Sequence, residues 1–168
     1  MLINPLVELE DSYLNYIKEL GSEERYPYPM DLDYSNFPAF VQLLNDYSEG
    51  INLPSHMVPN TTFWLIENQE IIGCSHLRHT LNDSLKHAGG HIGLGVRPRY
   101  RGKGVGKRLL SQTIERANRM GISAVHIHCY KSNISSTKLI ESSGAILHST
   151  IDLEDSSETV LRFIHEHT

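Results

Sequence analysis

Val96-Arg97-Pro98-Arg99-Tyr100-Arg101-Gly102-Lys103-Gly104-Val105-Gly106-Lys107-Arg108 is the stretch that decides the fold of this chain. An apolar run from His91 to Val96 leads into it and stops at Pro98. It opens into the segment Gly104 to Met120, where Val105, Leu109, Ile114 and Ala117 recur at helical spacing and Gly121 supplies a stop. A strand, a glycine-rich turn and a helix therefore follow one another. Glycines at 102, 104 and 106 remove Cβ atoms where a backbone must approach a ligand closely. The helix start adds unpaired N–H groups and the positive end of its dipole, and Arg101, Lys103, Lys107 and Arg108 add charge around it. Together these features describe a pyrophosphate cradle.

Spacing separates the phosphate loops that such a cradle can belong to. A Walker loop needs Gly, four residues, then Gly-Lys followed by Ser or Thr. Here Gly106-Lys107 is followed by Arg108, and the position five before Gly106 is Arg101. A dinucleotide fingerprint, Gly-x-Gly-x-x-Gly, would need glycine at 107, where lysine stands. What remains is Arg-x-x-Gly-x-Gly at Arg101, Gly104 and Gly106.

Outward from this loop the chain reads as alternating elements. Leu6, Leu9, Tyr13, Ile17 and Leu20 predict a helix stopped by Gly21, and Phe37, Phe40, Val41 and Leu44 a second one beginning near Ser35. Tyr26-Pro27-Tyr28-Pro29 between them is expected to be non-helical. Thr61 to Glu67 and Glu70 to Leu81 read as a hairpin across Asn68-Gln69, followed by a turn at Asn82-Asp83-Ser84. After the glycine-rich helix come a strand, Ala124 to Cys129, and a helix, Asn133 to Ser143, ended by Gly144. A last hairpin pairs Ala145 to Leu153 with Thr159 to Ile164.

In this setting, Arg101 to Gly106 after a strand ending at Val96 resembles motif A of the GNAT acetyltransferases. Asn133-x-x-Ser136, opening a helix that Gly144 ends, resembles the motif B of the same family. The two lie in the family's order with its flanking elements. Ile71-Ile72-Gly73, Leu77 to Asn82 and Gly89 to Gly93 also resemble a bacterial branch of predicted acetyltransferases that implies no particular substrate. The resemblance implies an α/β (α+β) GNAT fold: a mixed central sheet with a splayed strand pair, flanked by helices, as one domain over residues 1–168. It implies acetyl-CoA as co-substrate. The pyrophosphate would lie on Arg101, Gly102, Lys103, Gly104, Val105, Gly106 and Lys107. Leu94 and Val96 on the preceding strand, with Asn133 and Ser136, would hold the pantetheine arm.

GNAT chemistry is direct attack of an amine on the thioester, so the amine must lose a proton, the oxyanion needs an N–H donor, and the thiolate needs a proton. His91, on the strand before the loop where many members carry Glu, is the first candidate for base, since histidine titrates near neutrality. His76 and Arg78 would share a strand face with Ile72 and Cys74 by alternation and end it toward an acceptor pocket. Tyr26, Tyr28 and Asp31 offer aromatic walls and a carboxylate suited to a cationic amine. Many members carry Tyr four positions after the motif B Ser; here that position is Ile140, so either Ser136 or Ser135 assists the thiolate or it leaves into water without a side-chain acid. His126 and His128 share a strand face but find no further ligands at useful spacing, so no metal is expected.

Composition bounds the function further. The 168 residues carry 20 acidic and 15 basic side chains, a net charge of −5, which argues against nucleic acid as a partner. There is no apolar run near the ~18 residues that span a membrane, and no leader pattern at Met1 to Glu10. Cys74 and Cys129 stand alone in apolar runs, consistent with a reduced, cytoplasmic setting. The expected activity is acetyl transfer to a primary amine of a small molecule. A protein lysine or N-terminal amine is the first alternative, and a non-catalytic acyl-CoA-binding sensor is the rival of another class. A homodimer through the last hairpin is compatible with the pattern.

Overall fold

Asn68 and Gln69 both adopt positive φ, 49° and 63°, and so reverse the chain tightly between two strands. The structure, a computed structural model, describes residues 1–167. The strands joined at this turn, β2 (Asn60–Glu67) and β3 (Glu70–Arg78), are the centre of an antiparallel sheet ordered β1-β2-β3-β4, with β1 at Leu2–Ile3 and β4 at Ile92–Val96. The second sheet is antiparallel too, ordered β5-β7-β6, from β5 (Ala124–Tyr130), β6 (Ile146–Asp152) and β7 (Thr159–Glu166). Among the described residues the α-helices are α1 (Glu10–Leu20), α2 (Phe37–Glu49), α3 (Asp83–His87), α4 (Val105–Arg119) and α5 (Ile134–Glu141).

The sheets are covered because their strands present two apolar faces. Leu109, Leu110, Ile114 and Ala117 of α4 bury the face carrying Leu65, Leu77, Val125, Ile127 and Phe163. Tyr13, Tyr16 and Ile17 of α1 and Phe37, Phe40 and Leu44 of α2 bury the opposite face of the first sheet against Trp64 and Cys74. The Tyr13 ring lies 5.5 Å from Trp64 and 5.2 Å from Phe40, spacings at which tilted aromatic rings attract. Each such side chain contributes about 1.5–3 kcal/mol on burial. One polar contact pins α4 against β3: the buried Thr113 and Ser75 hydroxyls are 2.8 Å apart.

Local chemistry moves some expected boundaries. β3 ends at Arg78 rather than Leu81, and Asn82-Asp83-Ser84 starts α3 instead of a simple turn. The Asn82 side chain accepts the Leu85 N–H at 3.0 Å, an N-cap that the turn-like composition conceals. Tyr28–Asp31 forms one 3-10 turn after the cis Tyr26–Pro27 peptide. On β3, an irregularity opposite Leu65 and Ile66 inserts Ile72 as an extra residue. Ile72 thus joins the α4 side, while Cys74 stays on the α1–α2 side; alternation therefore does not put them on one face.

Among the described residues, the backbone joins the two sheets at Gly90 and His91. The His91 N–H donates to the His126 carbonyl at 2.7 Å, and Gly90 bridges Ile127. Beyond it, β4 pairs with β3 alone and β5 with β7 alone, so β4 and β5 part. The expected splayed pair is therefore present, and it divides the sheet into two antiparallel ladders. β6 forms an outer edge where Ile146 is 75% and Leu147 47% exposed. No helix among the described residues is long and apolar enough to cross a membrane.

Candidate active site

The parted strands leave backbone groups of β4 without a strand neighbour. Arg97 N–H donates to the Ile72 carbonyl at 3.0 Å, so by alternation the backbone polar groups of Gly93 and Gly95 face β3. Those of Leu94 and Val96 face the opposite edge, toward β5. The Val96 carbonyl there accepts Arg101 Nε at 3.0 Å; the Leu94 N–H and C=O and the Val96 N–H remain open. The side chains of Leu94 and Val96 pack on the α4 core, and Val96 reaches the first turn of α4 at Gly106.

The loop after β4 ends in a row of free donors. Among the described residues, the N–H groups of Gly102, Lys103, Gly104, Val105, Gly106 and Lys107 have no hydrogen-bond partner, whereas those of Arg101 and Arg108 bond to Pro98 and Gly104 carbonyls. Gly104 is the N-cap of α4 and supplies no side-chain cap. Its φ of 77° and the 70° of Gly102 explain the glycines: the turn needs left-handed backbone that other residues adopt at a cost. No protein atom lies within 4 Å of a Cβ built at either position, so the space above the loop is open. Gly106 differs. A Cβ there would make ordinary contacts with Leu139 of α5 at 3.4 Å and Val96 at 3.7 Å, so neither backbone conformation nor packing within the protein requires this glycine.

The basic residues around the loop divide into two sets. Arg97 is 1% exposed and points its Nε and Nη2 at Glu19, at 2.9 and 2.6 Å; it is a structural ion pair and not part of the cradle. Arg99 pairs with Glu70 and Glu19, Arg108 with Glu67, and Arg101 with Glu23. Lys103 and Lys107 have no carboxylate within 4.0 Å among the described residues and remain available to an anion. Lys107 also borders a hollow of about 150 Å³ with Leu139, Ser142 and Ser143, between α4 and α5. Asn133 caps α5 by accepting the Ser136 N–H at 3.0 Å, and its amide nitrogen makes no hydrogen bond among the described residues. Ser136 is half-buried at the first turn, and its hydroxyl has no partner there either.

His91 departs from its expected role as base. It is 6% exposed, and its Nδ1 accepts the His126 N–H at 3.0 Å, so the neutral ring carries its proton on Nε2 and has no free lone pair. Burial, with His126 and Arg78 nearby, holds its pKa down at about 4. It acts as a clamp at the point where β4 and β5 meet. His128 behaves alike: its Nδ1 accepts the Gly89 N–H at 3.1 Å, and its pKa is depressed to about 4 by burial first and then by His126 and Arg162. His76 is buried, its Nε2 lies 2.8 Å from Asn60 Oδ1, and burial and Arg78 bring its pKa down to about 3.

The α1–α2 connection covers the face of β4 opposite α4. Tyr26 crosses β4: a Cβ on Gly93 would come within 2.9 Å of the Tyr26 hydroxyl, and one on Gly95 would overlap the Tyr26 carbonyl. These two glycines were not among the expected site residues. Their alternation inside a strand is the sequence signal for close backbone approach. Arg78, opposite Asn60 in the ladder, holds the Gly90 carbonyl at 3.0 Å and, more weakly, that of Gly89 at 3.4 Å. Tyr28 stands over His76 with ring centroids 6.3 Å apart. Tyr26, Tyr28, His76 and Arg78 thus lie near one another on this face, whereas Asp31 is exposed at the end of its turn. Ile140 is 4% exposed within the α4 core, so that position offers nothing to a thiolate.

The family model for the acetyltransferase (GNAT) family matches residues 15–145. This chain belongs to the GNAT family. No curated protein matches the sequence. Solved structures match over nearly the whole chain. A spermidine N-acetyltransferase SpeG variant from Vibrio cholerae is 15% identical, covering 99% of this chain and 94% of its own, with a TM-score of 0.66. The ribosomal-protein-S5-alanine acetyltransferase of Vibrio fischeri is also 15% identical, over 98% of this chain and 91% of its own, with a TM-score of 0.69. YncA of Salmonella typhimurium, a putative acetyltransferase solved with acetyl-CoA, is 15% identical over 99% and 92%, with a TM-score of 0.61. At such identities the structures speak for the fold, and the family match for the chemistry. The GNAT chain is an acyl-CoA-dependent N-acetyltransferase whose co-substrate is acetyl-CoA. The open β4 edge and the free amides of residues 102–107 fit an extended thioester ending in a pyrophosphate.

Proposed function

We propose that this GNAT enzyme moves acetyl from acetyl-CoA to a primary amine of a small molecule, by direct attack in a ternary complex. The observation that carries this reading is two groups of free donors on one path, the Leu94 and Val96 N–H on β4 and the amides of residues 102–107 at the start of α4. The amides of residues 102–107, with Lys103 and Lys107, hold the pyrophosphate, and Asn133 and Ser136 flank the pantetheine arm. The Leu94 N–H is the donor for the oxyanion, worth about 10²–10³ in rate for such a group. When bound, acetyl-CoA supplies the activated acyl carbonyl. The proton of the amine leaves to water at the mouth between β4 and β5, because His91 has no lone pair to receive it. Ser136 is the hydroxyl we assign to the departing thiolate.

Tyr26 and Tyr28 form the walls of the acceptor site. A small amine is favoured over a protein lysine or N-terminus because the acidic chain carries no evident insertion for docking a peptide among the described residues. The reading includes a cytoplasmic enzyme, in keeping with two free cysteines, and a homodimer through the exposed β6 edge, which light scattering tests. The main test is CoA release from acetyl-CoA with a panel of small amines and of peptides. Turnover of small amines above peptides supports the reading. Turnover of peptides alone, or acetyl-CoA binding without CoA release for any amine, overturns it.

A further inference from the structure

We propose that Arg78 is the receptor for a carboxylate on the acceptor, so that the substrate class is amines that also bear a carboxylate. The inference rests on the acetyl-transfer reading and names its substrate. Arg78 is half-buried at the end of β3, where β4 leaves β5, and among the described residues no carboxylate lies within 4.0 Å of it. Its Nη1 is held by the Gly89 and Gly90 carbonyls. Among the described residues its Nε and Nη2 have no partner, and they are not sealed from solvent. That leaves open the Nε–Nη2 edge of the guanidinium, the fork that matches two carboxylate oxygens.

The surroundings carry the same sign. Arg78 acts on Tyr26, His76, His91 and His128, and no carboxylate counters it at any of the three histidines. Lys86 and Arg162 add positive charge near His126. Among the described residues, Glu24, on the exposed loop beside Tyr26, is the carboxylate whose charge acts on it. A protein of net charge −5 thus keeps a positive mouth over its acceptor side, while Glu19, Glu23, Glu67 and Glu70 are engaged by other arginines. A polycation would meet repulsion here. An amine with a carboxylate would be drawn in and oriented, its amino group left free to attack.

The test compares CoA release with matched acceptors: amino acids, their carboxamides, their decarboxylated amines, and spermidine. Wild-type kcat/KM is expected to be about ten- to a hundredfold higher for the acids, the range of a charged hydrogen-bonded pair. Arg78→Met should erase this preference through the acceptor KM, leaving the acetyl-CoA KM unchanged, and Arg78→Lys should restore part of it. Equal or better turnover of carboxamides or spermidine by the wild type overturns the inference. So does an Arg78→Met variant that slows acids and amides alike, as a purely structural role at Gly89 and Gly90 would. Binding of N-acetylated glycine, phenylalanine and glutamate, followed by NMR, decides the matter without turnover. Binding that Arg78→Met loses supports the carboxylate receptor even where no CoA is released and the transfer reading fails; no binding by the folded wild type overturns it.

Discussion

Replacing Gly104 separates the two things this glycine does. Its φ of 77° means that any other residue is strained, by about 1–2 kcal/mol. That strain is present with and without acetyl-CoA, so Gly104→Ala is expected to lower stability by about 1 kcal/mol and leave affinity nearly unchanged. Gly104→Glu adds a carboxylate in open space at the start of α4, beside six free amides. At about 6 Å from a doubly charged pyrophosphate, the repulsion is about 1.4 kcal/mol at the permittivity of water and about 5.5 kcal/mol at an effective value near 20. Gly104 is exposed, so the lower part of this range applies, an affinity loss of about ten- to a hundredfold. Calorimetric titration of both variants with acetyl-CoA measures it. Repetition at 1 M salt, where the screening length falls to about 3 Å, should shrink the loss. Wild-type affinity in Gly104→Glu would remove the pyrophosphate from this loop. Equal losses in both variants would show that shape, not charge, is what the loop recognises.

His91→Ala leaves the His126 N–H without its acceptor and should cost about 1–3 kcal/mol in urea denaturation, with the shape of the pH–rate profile unchanged. A changed profile at wild-type stability would return His91 to the chemistry. Acid should destabilise the protein before its carboxylates titrate. His76, His91 and His128 are held at about 3, 4 and 4 in the fold, below the ordinary 6.5, so the unfolded chain binds protons first as pH falls. Their contribution is complete above about pH 6.5 and lost toward pH 4 for His91 and His128 and toward pH 3 for His76, with a limiting slope of about 1.4 kcal/mol per pH unit for each histidine. Thermal melts that do not move between pH 7 and pH 5 contradict this. Glu19→Ala strands the buried Arg97 guanidinium and should cost about 3–5 kcal/mol by chemical denaturation; a loss below about 1 kcal/mol would mean that water or a rearranged carboxylate replaces Glu19.

Sequence alone determined most of the element order and the glycine-rich turn into α4, because both are local. The glycines at 102 and 104, the apolar spacing from Val105 to Ala117 and the Asn133 cap act over a few residues, and periodicity and capping express such interactions directly. The α3 cap at Asn82 and the extra Ile72 in β3 were hidden: one looks like a turn, and the other depends on what β2 places opposite. Tertiary structure alone decided which charges and lone pairs remain free. Arg97 and Arg101 look alike in the sequence, yet 78 residues back in the chain Glu19 buries the first, and Glu23 meets the second at the surface. His91 looks like a base until β5 arrives, 35 residues later, and its N–H takes the ring nitrogen. Arg78 looks like the polar end of a strand, and only the folded chain leaves its Nε–Nη2 edge open beside Tyr26. Availability of a functional group is set by partners distant in sequence, and no local pattern encodes them.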